Sequence, residues 1–348
     1  MMKRQVLIIL CLALGSTTSG AQGLTEHWQR DSALAAVRSI DIDQAVYEIG
    51  DISSLANPDS TLTGLGNIET RGDWPLPARE AEIYQFTRSL AELPRDAVAV
   101  EVMQHLQIYQ ARVLVPHEDH HDAYVPLFNV RAAAAGVENA WQRVEYASEA
   151  ETLLASDTGK LVSTYVVSTS KNQRAAYLDV VKHTGMAEVL AIQESALRQL
   201  KESPAVTPLL GITAGMTADT YVIERLLTDG RGAGFSSTLV QLGHQLPIAE
   251  TAALLDFAIQ HAPTANAALA ISAWWPRLKH MSSSRDALVD LLDDPSLGAS
   301  AALALAQSPD LQTIKILQDT ASDNTSAAKR AQMALDFNRD RLVGEVQP

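Results

Sequence analysis

The chain has 348 residues, of which 47% are hydrophobic and only 5% are aromatic. This composition excludes a disordered chain, and it favours close-packed helices over a β-sandwich, whose strands are rich in β-branched and aromatic residues. The formal net charge of −14 at pH 7 argues against binding to nucleic acid or to an anionic membrane surface, because both would be repelled. We therefore predict an all-α protein that binds no nucleic acid.

Residues 1–21 have the pattern of an export signal. Lys3 and Arg4 precede an apolar run over residues 6–15, and residues 19–21 supply the small side chains of a cleavage site. Because an apolar run of that length is too short for a permanent spanning helix, no stable membrane anchor is predicted. The single cysteine lies inside this segment, so the mature protein is expected in the periplasm or outside the cell, without disulfides.

The middle of the chain is predicted to be helical but irregular. Residues 22–77 are expected to form helices followed by a long loop rich in glycine, proline and small polar residues. Residues 78–201 are expected to form an irregular helical region, with Val113–Pro116 extended and Gly136 separating two helices. Residues 202–217 contain two prolines and two glycines, and we interpret them as a linker or an irregular repeat.

Residues 218–341 repeat a pattern of paired helices. The segment Ala267-Ala-Leu-Ala-Ile271 recurs at Ala301 and, more loosely, at Ala331, with offsets of 34 and 30 residues. A fixed period in this range predicts an α-solenoid, in which each helix pair buries its apolar face against its neighbours. The predicted pairs are 219–227 with 236–246, 248–260 with 265–278, 284–292 with 297–307, and 311–321 with 326–341.

This pattern resembles the HEAT repeats. The resemblance rests on Leu288, Leu291 and Leu292 in a first helix, on the turn Asp293-Asp-Pro295, and on the alanine-leucine second helix that begins at Leu297. It implies an α-α superhelix that binds a protein or peptide along one face, with no cofactor and no catalytic activity. The family's usual arginine or lysine near the start of the second helix is replaced by Gly298, so a ladder of charged contacts is not expected.

One segment points to a different function. His117-Glu-Asp-His-His121 has two histidines four residues apart, with Glu118 after the first, as in zinc proteases. On a helix, His117 and His121 would share one face and bind one zinc ion, while Glu118 would polarise the bound water. Glu138 or Glu145 on the following helices would supply the third ligand. The competing function is therefore a zinc-dependent hydrolase.

Two alternatives remain for the same segment. Asp119 and His120 occupy positions where the zinc protease families have uncharged residues. The segment would then bind a metal without catalysis, through His117, His120 and His121, or it would be a polar loop that binds nothing.

Trp274 and Trp275 are candidate partner-binding residues. Adjacent tryptophans are not expected to face the core of one helix together, so one of them would be exposed as an anchor. The alternative is that both fill the seam to the next repeat. From the repeats and the acidic charge, we expect an exported scaffold that binds a protein or peptide partner of basic character.

Overall fold

A computed structural model confirms the all-α class. It describes residues 25–40, 57–120, 122–308 and 310–344. The predicted export signal and His121 lie outside the described residues. The chain divides into two compact units, Met1–Trp141 and Gln142–Pro348. This boundary falls inside the region 78–201 that was predicted as one irregular helical segment.

The N-terminal unit combines helices with one small sheet. Its helices are α1 (Arg30–Arg38), α2 (Pro58–Thr70), α3 (Leu76–Ser89), α4 (Ala97–Gln107) and the first part of α5 (Val130–Ser156). Its strands are β1 (Glu26–His27), β2 (Val113–Pro116) and β3 (Tyr124–Pro126). Strand β2 lies in the centre, parallel to β1 and antiparallel to β3. The extended conformation predicted for residues 113–116 is therefore confirmed.

Two predictions about helices in this unit are wrong. The long loop expected up to residue 77 contains α2, which begins because the Asn57 side chain accepts the Asp59 N–H and Pro58 occupies the first turn. The break expected at Gly136 is absent, because α5 continues through it. Glycine lowers helix propensity by about 1 kcal/mol, and packing of α5 in the unit's core outweighs that cost.

The C-terminal unit consists of helices in two layers. The first-layer helices are α6 (Thr158–Val167), α8 (Met186–Gln199), α10 (Thr220–Asp229), α12 (Ile248–His261), α14 (Ser282–Asp290) and α16 (Leu311–Ala321). The second-layer helices are α7 (Lys171–Lys182), α9 (Thr207–Thr217), α11 (Phe235–Gln245), α13 (Thr264–Leu278), α15 (Gly298–Ala306) and α17 (Ser326–Gly344). Each second-layer helix packs against the next one along the stack. All eight helices predicted between 218 and 341 are present, with ends within three residues of expectation.

The stack begins earlier than the sequence pattern suggests. Residues 202–217, predicted as a linker or irregular repeat, contain the buried helix α9, which packs against α8 and α11. The linker interpretation is wrong because Pro208 lies in the first turn of α9, where proline is tolerated. Six helix pairs, from α6 to α17, therefore follow one another in the described part of this unit.

Side chains of one pair cap backbone carbonyls of the preceding pair. Asn266 Nδ2 donates to the carbonyls of Leu227 and Gly230 at the end of α10, at 2.8 and 2.9 Å. At the end of α13, Arg277 Nη1 donates to the carbonyl of Leu246, at 2.7 Å. Carbonyls at helix ends have no partner within their own helix, so these bonds stabilise the junction between pairs.

Gly298 makes room for the same kind of bond at the junction between the last two pairs. Arg330 Nη1 donates to the carbonyls of Leu292 and Asp294, at 2.7 and 2.8 Å. A Cβ atom on residue 298 would lie 2.3 Å from Arg330 Nη1 and 2.9 Å from the Leu292 carbonyl oxygen. The glycine that departs from the HEAT pattern thus admits an arginine from the following helix, which bonds to carbonyl oxygens.

Replacing Gly298 with alanine is expected to destabilise the C-terminal unit by about 2 kcal/mol. Alanine normally stabilises a helix relative to glycine, so the sign is set by the clash with Arg330 and the loss of its two carbonyl bonds. Urea unfolding followed by circular dichroism measures the difference. Gly185→Ala is the matched control, because there an added Cβ meets only the mobile carboxylate of Glu188. Equal stability of G298A and G185A would contradict the expectation.

Candidate binding surface

The histidine segment forms the loop of a β-hairpin. The backbone N–H of His117 donates to the carbonyl of Ala123 at 2.9 Å, and the N–H of Ala123 donates to the carbonyl of His120 at 2.9 Å. The described residues between β2 and β3 are not helical. The helical arrangement assumed for His117 and Glu118 is therefore wrong, and with it the geometric basis for a zinc protease.

The carboxylates predicted to act with these histidines have other neighbours. Glu118 is largely exposed and pairs with Arg30 at 2.9 Å. Glu138 pairs with Arg95 at 2.8 Å, and Glu145 belongs to the C-terminal unit. The rings of His117 and His120 lie 5.1 Å apart. Among the residues that the structure describes, no three histidine, cysteine or acidic side chains form a metal-binding group. Zinc binding by the hairpin stays a prediction.

Trp274 and Trp275 are both completely buried. The expectation that one of them is an exposed anchor is wrong, because α13 contacts α10, α11, α12 and α15 and so has neighbours on several faces. Trp274 packs against α11, and its Nε1 donates to the Leu239 carbonyl at 2.6 Å. Both tryptophans therefore stabilise the stack, as in the alternative in which they fill the seam between repeats.

Acidic residues are unevenly distributed among the helices in the middle of the stack. The first-layer helices α10, α12 and α14 each carry two, and these are Glu224, Asp229, Glu250, Asp256, Asp286 and Asp290. The second-layer helices α9, α11, α13 and α15 contain no aspartate or glutamate. In a chain with 41 acidic residues, four such helices in consecutive pairs form a distinct surface. We call these four helices the acid-free layer.

Large apolar side chains are exposed in both layers, but two of those in the second layer lie at equivalent positions of neighbouring helices. Leu303 is 49% exposed on α15, and Met333 is 45% exposed on the adjoining helix α17. Both occupy the third position of the recurring alanine-leucine segment, so they lie at equivalent places on neighbouring helices. Phe337 is exposed one turn after Met333, and Val240 is exposed on α11. A single exposed leucine is ordinary, but apolar residues aligned on adjoining helices indicate a contact surface.

A groove runs between α11 and α13 in the same layer. Its volume is about 570 Å³, within the range of pockets that bind small ligands. Val240, Ala273 and Pro276 form its apolar walls, while His244 and Arg277 are the ionisable residues that line it. These lining residues form no sequence motif, although the lack of acidic residues in α11 and α13 is visible in the sequence.

The C-terminal unit also contains a pocket of about 500 Å³ between α5 and α7. Asp179 lies at this pocket and receives hydrogen bonds from Arg143 Nη2 at 2.5 Å and Lys182 Nζ at 3.0 Å. Burial alone would raise the pKa of Asp179, but these two cations outweigh it and hold the pKa below its usual value. The ionised carboxylate therefore links α5 to α7, which is a structural role.

Among the described residues, no helix combines the length and apolar character needed to cross a bilayer. No protein-family model matches the chain, and no curated protein matches it. Among the described residues, the acid-free layer combines exposed Leu303 and Val240 with the groove between α11 and α13.

Proposed function

We propose that this protein is an exported scaffold that binds a protein or peptide partner on its second-layer helices. The observation that supports the proposal is the alignment of Leu303 and Met333, both about half exposed, on adjoining helices of a stacked unit. Burying such side chains against a partner contributes roughly 25 cal/mol for each Å² of apolar surface removed from water. Repeat stacks commonly present extended surfaces of this kind.

The acidic net charge is expected to affect the rate of association with a partner, whereas apolar contact is expected to stabilise the complex. The net charge of −14 favours encounter with a basic partner, because long-range attraction speeds association. The acidic residues of α10, α12 and α14 lie in the first layer, and the apolar contact proposed at Leu303 and Met333 does not depend on an ion pair with them. Raising the salt concentration should therefore slow association more than it speeds dissociation.

The test is capture of a partner by the purified mature protein and by a variant with Leu303→Glu and Met333→Glu. The wild type, immobilised and exposed to exported proteins of its own cell, is expected to retain a specific partner that mass spectrometry identifies. The double variant should bind that partner at least about tenfold more weakly, because two glutamates replace apolar contacts.

The matched control is Leu311→Glu, on the first-layer helix α16. Leu311 is 85% exposed, so the substitution adds one negative charge, half the change in the double variant, to the same stack at little cost in buried surface. This variant should retain full affinity. Equal binding by the wild type and the double variant, or failure of the wild type to retain any specific partner, would overturn the proposal.

A further inference from the structure

Pro276 leaves one backbone carbonyl in the groove between α11 and α13 without its usual donor within the helix. It lies inside α13, where a residue with a backbone N–H would donate to the carbonyl of Ser272, four residues earlier. Proline has no N–H, so the Ser272 carbonyl lacks this helical donor. Ser272 and Pro276 both line the groove, and both are exposed. The groove therefore offers a backbone carbonyl to a ligand that can donate an N–H.

Arg277 supplies a guanidinium group, His244 supplies an imidazole, and no acidic side chain is among the described residues that line the groove. Arg277 Nη1 donates to the carbonyls of Gly243 and Leu246, the latter at 2.7 Å, which holds the guanidinium beside the end of α11. Arginine keeps its charge at every physiological pH, and it pairs well with carboxylates. The ligand that complements this end of the groove is an anion.

We propose that the groove binds the free C-terminus of a polypeptide that ends in an apolar residue. This inference rests on the proposed function and identifies the part of the partner that is recognised. The last side chain packs against Val240, Ala273 and Pro276. A backbone N–H of the peptide donates to the Ser272 carbonyl, and the terminal carboxylate pairs with Arg277.

The free carbonyl distinguishes a peptide from other apolar anions. A fatty acid would satisfy the apolar walls and Arg277, but it has no N–H for Ser272. A buried acceptor left without a donor lowers affinity, so the complete set of groups selects a peptide. A C-terminus supplies all three features within two residues, which suits a groove of about 570 Å³.

The first experiment uses an array of short peptides with free C-termini, in which the last two residues vary, and the same array with amidated C-termini. Peptides ending in valine, leucine or isoleucine are expected to bind the full-length mature protein. Their amides should bind at least about tenfold more weakly, and decanoate should not compete at concentrations that saturate the peptide. Equal binding of acids and amides, or full competition by decanoate, would overturn the proposal.

The second experiment measures the affinity of the best peptide for three variants. Pro276→Ala restores the N–H that bonds to Ser272, so it should raise the melting temperature and weaken the peptide about tenfold. Val240→Glu and Val240→Lys both remove the same apolar wall. The glutamate adds a like charge near the carboxylate, whereas the lysine adds an opposite one, so Val240→Glu should weaken the peptide more than Val240→Lys. Wild-type affinity in P276A, or equal effects of V240E and V240K, would contradict the inference.

The outcomes separate this inference from the function on which it rests. If no peptide on the array binds, while Leu303→Glu with Met333→Glu still releases the captured partner, the groove proposal is wrong and the scaffold proposal stands. If the wild type captures no specific partner but binds apolar C-termini on the array, the scaffold proposal is overturned, and the groove stands as a peptide-binding site.

Discussion

Replacing Trp274 with alanine is expected to destabilise the C-terminal unit by about 4 kcal/mol. The side chain is completely buried, so the substitution opens a large cavity between α11 and α13. It also removes the donor to the Leu239 carbonyl, at 2.6 Å. The contact with α11 is close, since a Cβ added to Gly243 would lie 2.5 Å from the indole Cδ1 atom. Urea unfolding followed by circular dichroism measures the loss.

Phenylalanine substitutions separate the hydrogen bond from the packing. Trp274→Phe and Trp275→Phe remove similar volumes from fully buried positions in one helix. Only Trp274 loses a hydrogen bond, because Trp275 Nε1 is buried without a partner among the described residues. Trp274→Phe should therefore be less stable than Trp275→Phe by about 1 kcal/mol. The reverse order would show that the carbonyl bond contributes nothing.

The helices of residues 218–341 could be predicted from the sequence because their signals are local. Apolar periodicity and short polar turns placed all eight helices there. The same reasoning failed where proline and glycine were interpreted as breakers. Pro58 and Pro208 lie in the first turns of α2 and α9, where proline is favoured or tolerated, and Gly136 lies within a continuous helix. Proline ends a helix only beyond its first turn, and a glycine ends one only where packing does not offset its low helix propensity.

The binding surface could be predicted only in part. The lack of acidic residues in α9, α11, α13 and α15 is a property of the sequence, but assigning those helices to one layer requires their contacts. Of the two interpretations of the tryptophans, the exposed anchor is wrong, because a helix with neighbours on several faces can bury adjacent residues. The zinc-protease interpretation of the histidines assumed a helix, which residues 117 and 118 do not form, and metal binding by the loop stays a prediction. Bonds such as Arg330 to Leu292 join residues 38 apart, and no local pattern reveals them.

The N-terminal unit depends on a different kind of interaction, a buried carboxylate that holds the start of a strand. Glu80 on α3 is completely buried. Its Oε1 atom accepts a short hydrogen bond from the backbone N–H of Arg112, and its Oε2 atom accepts the N–H of Val113 at 3.2 Å. The hydroxyl of Tyr109 donates to Oε1 at 3.4 Å. One side chain therefore satisfies two backbone donors where β2 begins.

Glu80→Ala is expected to destabilise the N-terminal unit by about 3 kcal/mol, because it leaves both backbone donors buried without an acceptor. Hydrogen exchange measured by mass spectrometry should show faster exchange over residues 112–116. Glu92→Ala, an exposed position in the same unit, should change neither stability nor exchange by a measurable amount. Slow exchange over this segment in Glu80→Ala would show that the sheet alone holds β2.

The pH dependence of the unfolding free energy of the N-terminal unit tests whether the titration of the Glu80 carboxyl group contributes to stability. Burial raises the pKa of Glu80, and the hydrogen bonds from Arg112 and Val113 lower it without offsetting burial. Because the folded pKa is above the unfolded one, the folded state binds the proton more tightly. The resulting stability is therefore present at acidic pH and lost as pH rises through the folded pKa. Glu80→Gln cannot titrate, so its unfolding free energy should lack this decrease, and an unchanged pH profile would assign the decrease to another group.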